Sequence, residues 1–159
     1  MRIGIGYDIH PLKQSVPLVL GGAQIPFHSG LEGHSDGDSL THAIVDAILG
    51  AMNSGNIGEY FPSDDPKFEN ARSIEFLDTI HGLLSENKWR LSNLDATIIC
   101  EHPPLSSFIG SMRQNIALKL QVSSDRISIK AKSNNRLGYL GEGEGIAAIA
   151  VVLIEDSQL

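Results

Sequence analysis

The chain has 159 residues, of which 42% are hydrophobic, and its formal net charge is −7. This length fits one domain over residues 1–159, with enough apolar residues for a buried core. Proteins that bind nucleic-acid backbones are usually basic, so this acidic chain is not expected to bind nucleic acid. The single Cys100 excludes an intrachain disulfide. The longest apolar run, Gly145 to Ile154, is shorter than the roughly 20 residues that cross a bilayer, so no membrane partner is expected.

The chain begins with sequence typical of strands, in three segments: Arg2 to His10, Val16 to Leu20 and Gln24 to Phe27. The first alternates around small and apolar residues, which predicts a strand. The other two flank Gly21-Gly22, which predicts a hairpin. A start of this kind predicts no signal or transit peptide. We therefore expect a bacterial cytoplasmic protein, or a plastid stromal protein whose presequence was removed.

A Gly-rich loop over residues 30–37 leads into a helix that we expect to begin near Ser35 or Asp36 and to end near Asn53. Apolar residues at helical spacing predict the face that packs on the core. The nearly opposite face carries three polar residues: Asp38, His42 and Asp46. Residues 53–66 then predict a loop longer than most connections, which favours a functional role.

The second half of the chain predicts further elements, namely a helix over residues 70–88, a strand from Arg90 to Cys100, a helix capped by Ser106 or Ser107, and strands from Arg126 to Lys132 and from Ile146 to Ile154. The last strand is continuously apolar, which predicts that both its faces are covered. This order indicates an α+β sandwich, a mixed sheet with helices on one face. A bare sheet face would need another subunit to cover it.

Asp8 and His10 are two residues apart on the first predicted strand, so their side chains project from the same face. His42 comes from the following helix. Two imidazole nitrogens and one carboxylate oxygen suit Zn²⁺, and three protein ligands leave a fourth position open for substrate or water. By spacing alone a chance occurrence stays open, because short motifs of this kind are common.

Polar groups around the predicted zinc site have two interpretations each. Asp38 and Asp46 lie four residues before and after His42, so either could accept the second N–H of the imidazole. Alternatively, they only balance charge on a solvated face. Ser35 and the neighbouring backbone N–H groups could bind a phosphate at the positive end of the helix. The alternative for Ser35 is an ordinary helix N-cap.

These residues belong to a larger pattern, which includes Arg2-Ile3-Gly4-x-Gly6-x-Asp8-x-His10, His34-Ser35-Asp36-Gly37-Asp38, His42, Asp46 to Ala51 and Gly141-x-Gly-Glu144-Gly145. The pattern resembles the 2-C-methyl-D-erythritol 2,4-cyclodiphosphate synthase family of the non-mevalonate isoprenoid pathway, over nearly the whole chain. The resemblance implies a phosphorus–oxygen lyase that converts 4-diphosphocytidyl-2-C-methyl-D-erythritol 2-phosphate to the cyclic diphosphate and releases CMP. It also implies a homotrimer built around a central β core, with an active site at each junction of adjacent subunits.

The resemblance implies two metals and their ligands. Asp8, His10 and His42 hold one Zn²⁺ per subunit and, with His34 and Ser35, form the catalytic set. One Mg²⁺ or Mn²⁺ per active site binds with the substrate. The residue matching its usual glutamate ligand is Asn135 here, and an amide is a weaker ligand than a carboxylate.

The resemblance also assigns the substrate contacts. The methylerythritol part is held by residues matching His34, Ser35, Asn56, Gly58 and Ser63. Asp64 and Asp65 follow Ser63 and are further candidates, since a one-residue shift of the loop could let Asp64 take its place. Cytidine is held by residues matching Cys100, Glu101, His102, Pro103, Pro104, Leu105 and Ser106, mainly through the backbone, and by Lys132 and Ser133. For Cys100 a buried small apolar residue is an alternative interpretation, and for Lys132 a solvated strand end.

The chain departs from the family pattern at several positions. Asn56 and Ser63 stand where aspartates are usual, and Pro104 stands where a lysine is common. A trimer-axis pocket of Tyr139, Glu142 and Glu144 has an acid in place of a frequent arginine, which disfavours prenyl diphosphates there. A zinc- and cytidine-nucleotide-binding trimer with weak or no turnover is therefore an alternative. A zinc hydrolase that gives a linear product is another.

Overall fold

The computed structural model describes residues 1–158, in which seven strands and five α-helices are present. The strands are β1 (Arg2–Gln14), β2 (Leu18–Leu20), β3 (Ala23–Ile25), β4 (Ser29–Leu31), β5 (Trp89–Ile99), β6 (Ile127–Lys132) and β7 (Gly145–Asp156). The helices are α1 (Ser39–Met52), α2 (Ile57–Tyr60), α3 (Phe76–Glu86), α4 (Ile109–Leu120) and α5 (Gly138–Gly141). None of these helices is both long and apolar enough to cross a membrane.

The strands form a five-stranded sheet in the order β4-β1-β7-β5-β6, and β2 pairs with β3 in a separate hairpin. The pairing of β5 with β6 is parallel, whereas β1 and β5 both pair antiparallel with β7. The long helices pack against one face of this mixed sheet and bury the core between the two layers. The predicted α+β class, mixed sheet and hairpin are confirmed.

Two glycines let α1 approach β1 closely. A Cβ atom at Gly4 would lie 1.9 Å from the carbonyl oxygen of Ala47, and one at Gly6 would lie 2.0 Å from that of Ala43. Any side chain at these positions would push the helix away. Because side chains alternate along a strand, the next residues on the same face, Asp8 and His10, also point toward α1.

The start of α1 differs from the prediction. The helix begins at Ser39, and Asp38 is its N-cap, accepting hydrogen bonds from the Thr41 backbone N–H at 3.0 Å and hydroxyl at 2.7 Å. The same carboxylate accepts the backbone N–H groups of Gly21 and Gly22, each at 2.8 Å. A buried carboxylate that accepts four hydrogen bonds is a stronger cap than Ser35 would be.

Two further local predictions were wrong. Helix α4 begins after Phe108 without a side-chain cap, so neither Ser106 nor Ser107 caps it. The predicted loop over residues 53–66 contains α2, which begins with a capping box between Asn56 and Glu59. A reciprocal pair of this kind stabilises even a single helical turn.

The sheet face opposite the helices is bare and apolar along β1. Ile3 and Ile5 are 72% and 69% exposed, and Tyr7, Ile9 and Val151 are also exposed on this face. Strand β7 was predicted to be covered on both faces, but within the single chain Val151 on the face away from the helices is exposed, and Ile149 and Leu153 there are only partly buried. The apolar run therefore exceeds what the helices of one chain can bury.

Candidate functional site

The second half of β1 and the first turn of α1 bring one carboxylate and two imidazoles together. Oδ2 of Asp8 lies 3.0 Å from Nε2 of His10 and 3.1 Å from Nδ1 of His42. The two ring nitrogens lie 3.3 Å apart. In a tetrahedral zinc site with bonds of about 2.0–2.1 Å, neighbouring ligand atoms are about 3.3–3.4 Å apart. The predicted triad therefore has both the donor atoms and close to the spacing that Zn²⁺ requires.

The contacts within the triad shift the pKa values of Asp8 and His10. Burial alone would raise the pKa of Asp8, but hydrogen bonds from His10 and His42 outweigh it and hold that pKa well below its ordinary range. The same contact with the Asp8 carboxylate raises the pKa of His10. A carboxylate that stays ionised between two imidazoles makes this position attractive to a cation.

The ring of His10 is oriented by the loop that follows β4. Nδ1 of His10 lies 2.7 Å from the carbonyl oxygen of Glu32, so this nitrogen carries a proton and donates it, and Nε2 is the nitrogen that faces the metal position. Gly33 packs against the ring, since a Cβ atom there would lie 3.1 Å from Cε1 of His10.

The ring of His42 is oriented by hydroxyl groups, and the prediction that Asp38 or Asp46 does this was wrong. Nε2 of His42 lies 2.8 Å from Oγ of Ser73 and 3.2 Å from Oγ of Ser35. The Asp38 carboxylate caps α1 instead. Oδ1 of Asp46 accepts a hydrogen bond from the backbone N–H of Ile57 at 2.7 Å. Both acids thus satisfy backbone donors rather than the imidazole.

Ser35 faces the site and does not cap a helix. Its hydroxyl lies 2.9 Å from Oγ of Ser73 as well as near His42. The capping carboxylate of Asp38 occupies the start of α1, while the contact of Ser35 with a phosphate stays a prediction. Ser35 and His34 instead line a cavity of about 260 Å³ that contains the triad.

The predicted sugar-binding residues divide into two groups. Gly58 and Ser63 line the triad cavity together with His34, whose Nε2 donates to the Asp65 carbonyl oxygen at 3.0 Å. The other three do not line it: Asn56 caps α2, Asp65 accepts the backbone N–H of Lys67, and Asp64 is exposed. Ser63, and not Asp64, therefore faces the cavity.

Sequence reasoning missed an aromatic wall of this cavity, formed by Phe61, Phe68 and Phe76. The rings of Phe61 and Phe76 stack with centroids 4.1 Å apart, and Phe76 lies parallel to the His42 ring at 6.3 Å. In the sequence, the available signal for this wall was apolar residues in an otherwise polar stretch. The aromatic rings make one side of the cavity suited to an apolar group.

A second cavity of about 500 Å³ lies where β5 and β6 end. It brings together most of the predicted cytidine contacts: Cys100, Glu101, Pro103, Pro104, Leu105, Ser106, Lys132 and Ser133. His102 does not line it, although its carbonyl oxygen accepts the Cys100 thiol at 3.1 Å. Burial raises the pKa of that thiol to about 11. The two cavities have no lining residue in common.

The remaining predicted residues lie on the surface of the single chain. Asn135 is exposed in a left-handed backbone conformation, with φ of 52°. Tyr139, Glu142 and Glu144 are exposed on α5 and in the turn that precedes β7.

Comparisons place the chain among known proteins. The model of the YgbB family matches residues 1–155. The 2-C-methyl-D-erythritol 2,4-cyclodiphosphate synthase of Clostridium perfringens is 47% identical over 154 residues, which cover 97% of this chain and 99% of that protein. The bifunctional IspDF of Campylobacter jejuni is 39% identical with a TM-score of 0.94, and the match covers 99% of this chain but 43% of that one. The IspF of Plasmodium falciparum, in complex with CDP, is 35% identical with a TM-score of 0.86, covering 98% and 96% of the two chains.

Proposed function

The chain belongs to the YgbB family, and from this we propose that it cyclises 4-diphosphocytidyl-2-C-methyl-D-erythritol 2-phosphate with a zinc ion held by Asp8, His10 and His42. Its curated relatives are 2-C-methyl-D-erythritol 2,4-cyclodiphosphate synthases. This chain is an enzyme of the same lyase class and acts in the non-mevalonate isoprenoid pathway. The observation that carries the metal assignment is the near-tetrahedral spacing of the three ligand atoms.

In the proposed reaction an oxygen of the 2-phosphate forms a bond to the β-phosphorus of the diphosphate. The bond from that phosphorus to the oxygen of CMP breaks, and its electron pair leaves with CMP. Both reacting groups are negatively charged, so the protein must hold them together and offset their charge. Little proton transfer is required from side chains.

The chain's own residues meet these needs at the triad cavity. A zinc ion held by the triad would supply a Lewis acid and a template for a phosphate oxygen. Three protein ligands would leave one position for the substrate, and Ser35 and His34 line the same cavity. The aromatic wall of Phe61, Phe68 and Phe76 excludes water on one side and suits the methyl-bearing carbon chain of the substrate.

We assign the cytidine to the second cavity. The segment from Cys100 to Ser106 supplies a wall with backbone groups, and Lys132 and Ser133 at the end of β6 supply a cation and a hydroxyl for phosphate oxygens. The CDP complex of the Plasmodium falciparum relative supports a cytidine ligand. A divalent cation, Mg²⁺ or Mn²⁺, would bind with the diphosphate, and Asn135 would be its protein ligand.

We further propose a homotrimer with active sites between adjacent subunits. The triad cavity and the cytidine cavity of one chain share no lining residue, so a partner chain can bring the two types of cavity together. The bare face of β1 exposes Ile3, Ile5 and Tyr7, an apolar surface typical of an interface. A cytoplasmic location is part of this proposal.

The test of function is product formation. The purified chain is incubated with the substrate, Zn²⁺ and Mg²⁺, and phosphorus NMR follows CMP and the cyclic diphosphate. Zinc and substrate binding without CMP release would support the alternative, a binding trimer with weak or no turnover, to which Asn56 and Asn135 point. A linear product would instead show that the open zinc position activates water.

A further inference from the structure

We propose that Ser73 and Asp36 are positioning residues that keep the proton of His42 on Nε2, so that Nδ1 is free to bind the cation. The inference rests on the proposed metal function of the triad. It assigns a role to two residues that are not themselves ligands.

Ser73 is placed to act on the side of the imidazole that faces away from the metal position. Its side chain is fully buried, and its Oγ lies 2.8 Å from Nε2 of His42. On the opposite side of the ring, Nδ1 lies 3.1 Å from Oδ2 of Asp8. A proton on Nδ1 would block the metal, so the form of the neutral ring that binds metal carries its proton on Nε2.

Asp36 determines which way the Ser73 hydroxyl points. An ionised carboxylate only accepts hydrogen bonds, and Oδ1 of Asp36 lies 2.5 Å from Oγ of Ser73. The hydroxyl therefore donates to Asp36, and a lone pair of Oγ is left to accept from His42. The backbone N–H of Ser73 also donates to Oδ2 of Asp36, at 3.1 Å, which fixes the carboxylate through both oxygens.

Ser35 completes the network but is the weaker partner of the ring. Its Oγ lies 2.9 Å from Oγ of Ser73, close enough to donate to the second lone pair there. Its distance from Nε2 of His42 is 3.2 Å, longer than that of Ser73. Loss of Ser73 would thus leave a poorer acceptor in reach, and we expect metal binding to weaken but not to vanish.

The first measurement is metal affinity. Ser73→Ala should bind Zn²⁺ or Co²⁺ about 10- to 100-fold more weakly in competition with a chromophoric chelator, the usual effect of removing the partner of a ligating histidine. Ser39→Ala is a matched control, because Ser39 is also fully buried and its hydroxyl has no hydrogen-bond partner within residues 1–158. The control should bind metal as tightly as the unmodified chain.

The second measurement separates positioning from mere stability. Nitrogen-15 NMR of the metal-free protein at mildly alkaline pH reports which nitrogen of neutral His42 is protonated. Without metal, Oδ2 of Asp8 at 3.1 Å from Nδ1 competes for the same proton, so both forms are expected in the unmodified chain. Ser73→Ala should lower the share of Nε2–H, and Ser73→Thr, which retains the hydroxyl, should restore it. Ser39→Ala should leave the signal unchanged.

Asp36→Asn is an independent variant. An amide has one oxygen for the two donors of Ser73, so its NH₂ group must face one of them. Where it faces Oγ, the hydroxyl turns toward His42, and we expect the share of Nδ1–H to rise and metal affinity to fall. The inference is overturned if Ser73→Ala and Asp36→Asn both keep the share of Nε2–H that the unmodified chain has, together with full metal affinity. If the unmodified chain binds no metal, the proposed function fails, while the metal-free spectra still decide the role of Ser73.

Discussion

Individual residues of the site are held by groups that lie far apart in the sequence. His10 is held by the carbonyl oxygen of Glu32, and His42 by Ser73, which is 31 positions away. Both partners orient the ring nitrogen that does not face the metal position. The ligand set alone is therefore an incomplete description of the site.

Cys100 provides a pH test at this scale. Burial raises its pKa from 9.0 to about 11, so at neutral pH its thiolate fraction should be about 100-fold lower than that of an ordinary cysteine. Alkylation by iodoacetamide should accordingly be slow in the folded protein and should accelerate as the pH rises toward 11. The proton is bound more tightly by the folded state, so the free energy of unfolding should decrease over the same pH range.

The control is the chain unfolded in guanidinium chloride, in which Cys100 should react at the ordinary rate. Equal alkylation rates for the folded and unfolded chain at neutral pH would contradict the burial of this thiol.

At the scale of elements, the junction of the β2–β3 hairpin with α1 depends on one side chain. Asp38 accepts hydrogen bonds from the hairpin turn at Gly21 and Gly22 and from the first turn of α1 at Thr41. It thereby connects the hairpin to α1, and few other polar contacts link these two elements. The same helix carries His42, so the cap also supports the site.

Asp38→Ala should lower the free energy of unfolding by about 2–4 kcal/mol, because it removes the helix cap and leaves buried backbone donors without an acceptor. Urea denaturation monitored by circular dichroism measures the change. Asp64→Ala, at an exposed carboxylate, is the control and should change the free energy by less than about 0.5 kcal/mol. Equal stability of the two variants would show that the cap is not important.

Periodicity in the sequence was sufficient for the main elements. Strand alternation places Asp8 and His10 on one face, but spacing alone left a chance occurrence open, and the complete ligand set with His42 was predicted from the family resemblance. The role of Asp38 could not be read in this way. A residue four positions before His42 can reach the ring or turn back to the helix end, and the choice depends on Gly21 and Gly22, which come from another element.

At the scale of the whole molecule, the bare sheet face is the feature that supports the proposed trimer. Ile5→Glu, at a position that is 69% exposed in one chain, should place a charge in the proposed subunit interface. Light scattering coupled to size exclusion should then give the mass of one chain instead of three, and CMP release should be lost. Leu118→Glu is the control, because Leu118 is 76% exposed on α4, away from this face. A trimer that survives Ile5→Glu and dissociates with Leu118→Glu would place the interface elsewhere.

The proposed trimer also leads to a prediction about anionic ligands at its threefold axis. Threefold symmetry would gather Glu142 and Glu144 of three chains around one axis, and the repulsion among these carboxylates disfavours an anion there. Geranyl diphosphate should therefore leave the thermal unfolding temperature unchanged. A rise of several degrees would contradict this, and Glu142→Arg is the variant expected to gain such stabilisation.

The close approach of α1 to β1, which Gly4 and Gly6 permit, has a consequence for heat resistance. Asp8 and His10 belong to the strand and His42 to the helix, so an ion bound among them crosslinks the two layers of the fold. Removal of the ion by a chelator should therefore lower the melting temperature. Amide hydrogen exchange should become faster in β1 and α1 before it does in β5 and β6. Calorimetry and exchange mass spectrometry, with and without chelator, measure both effects.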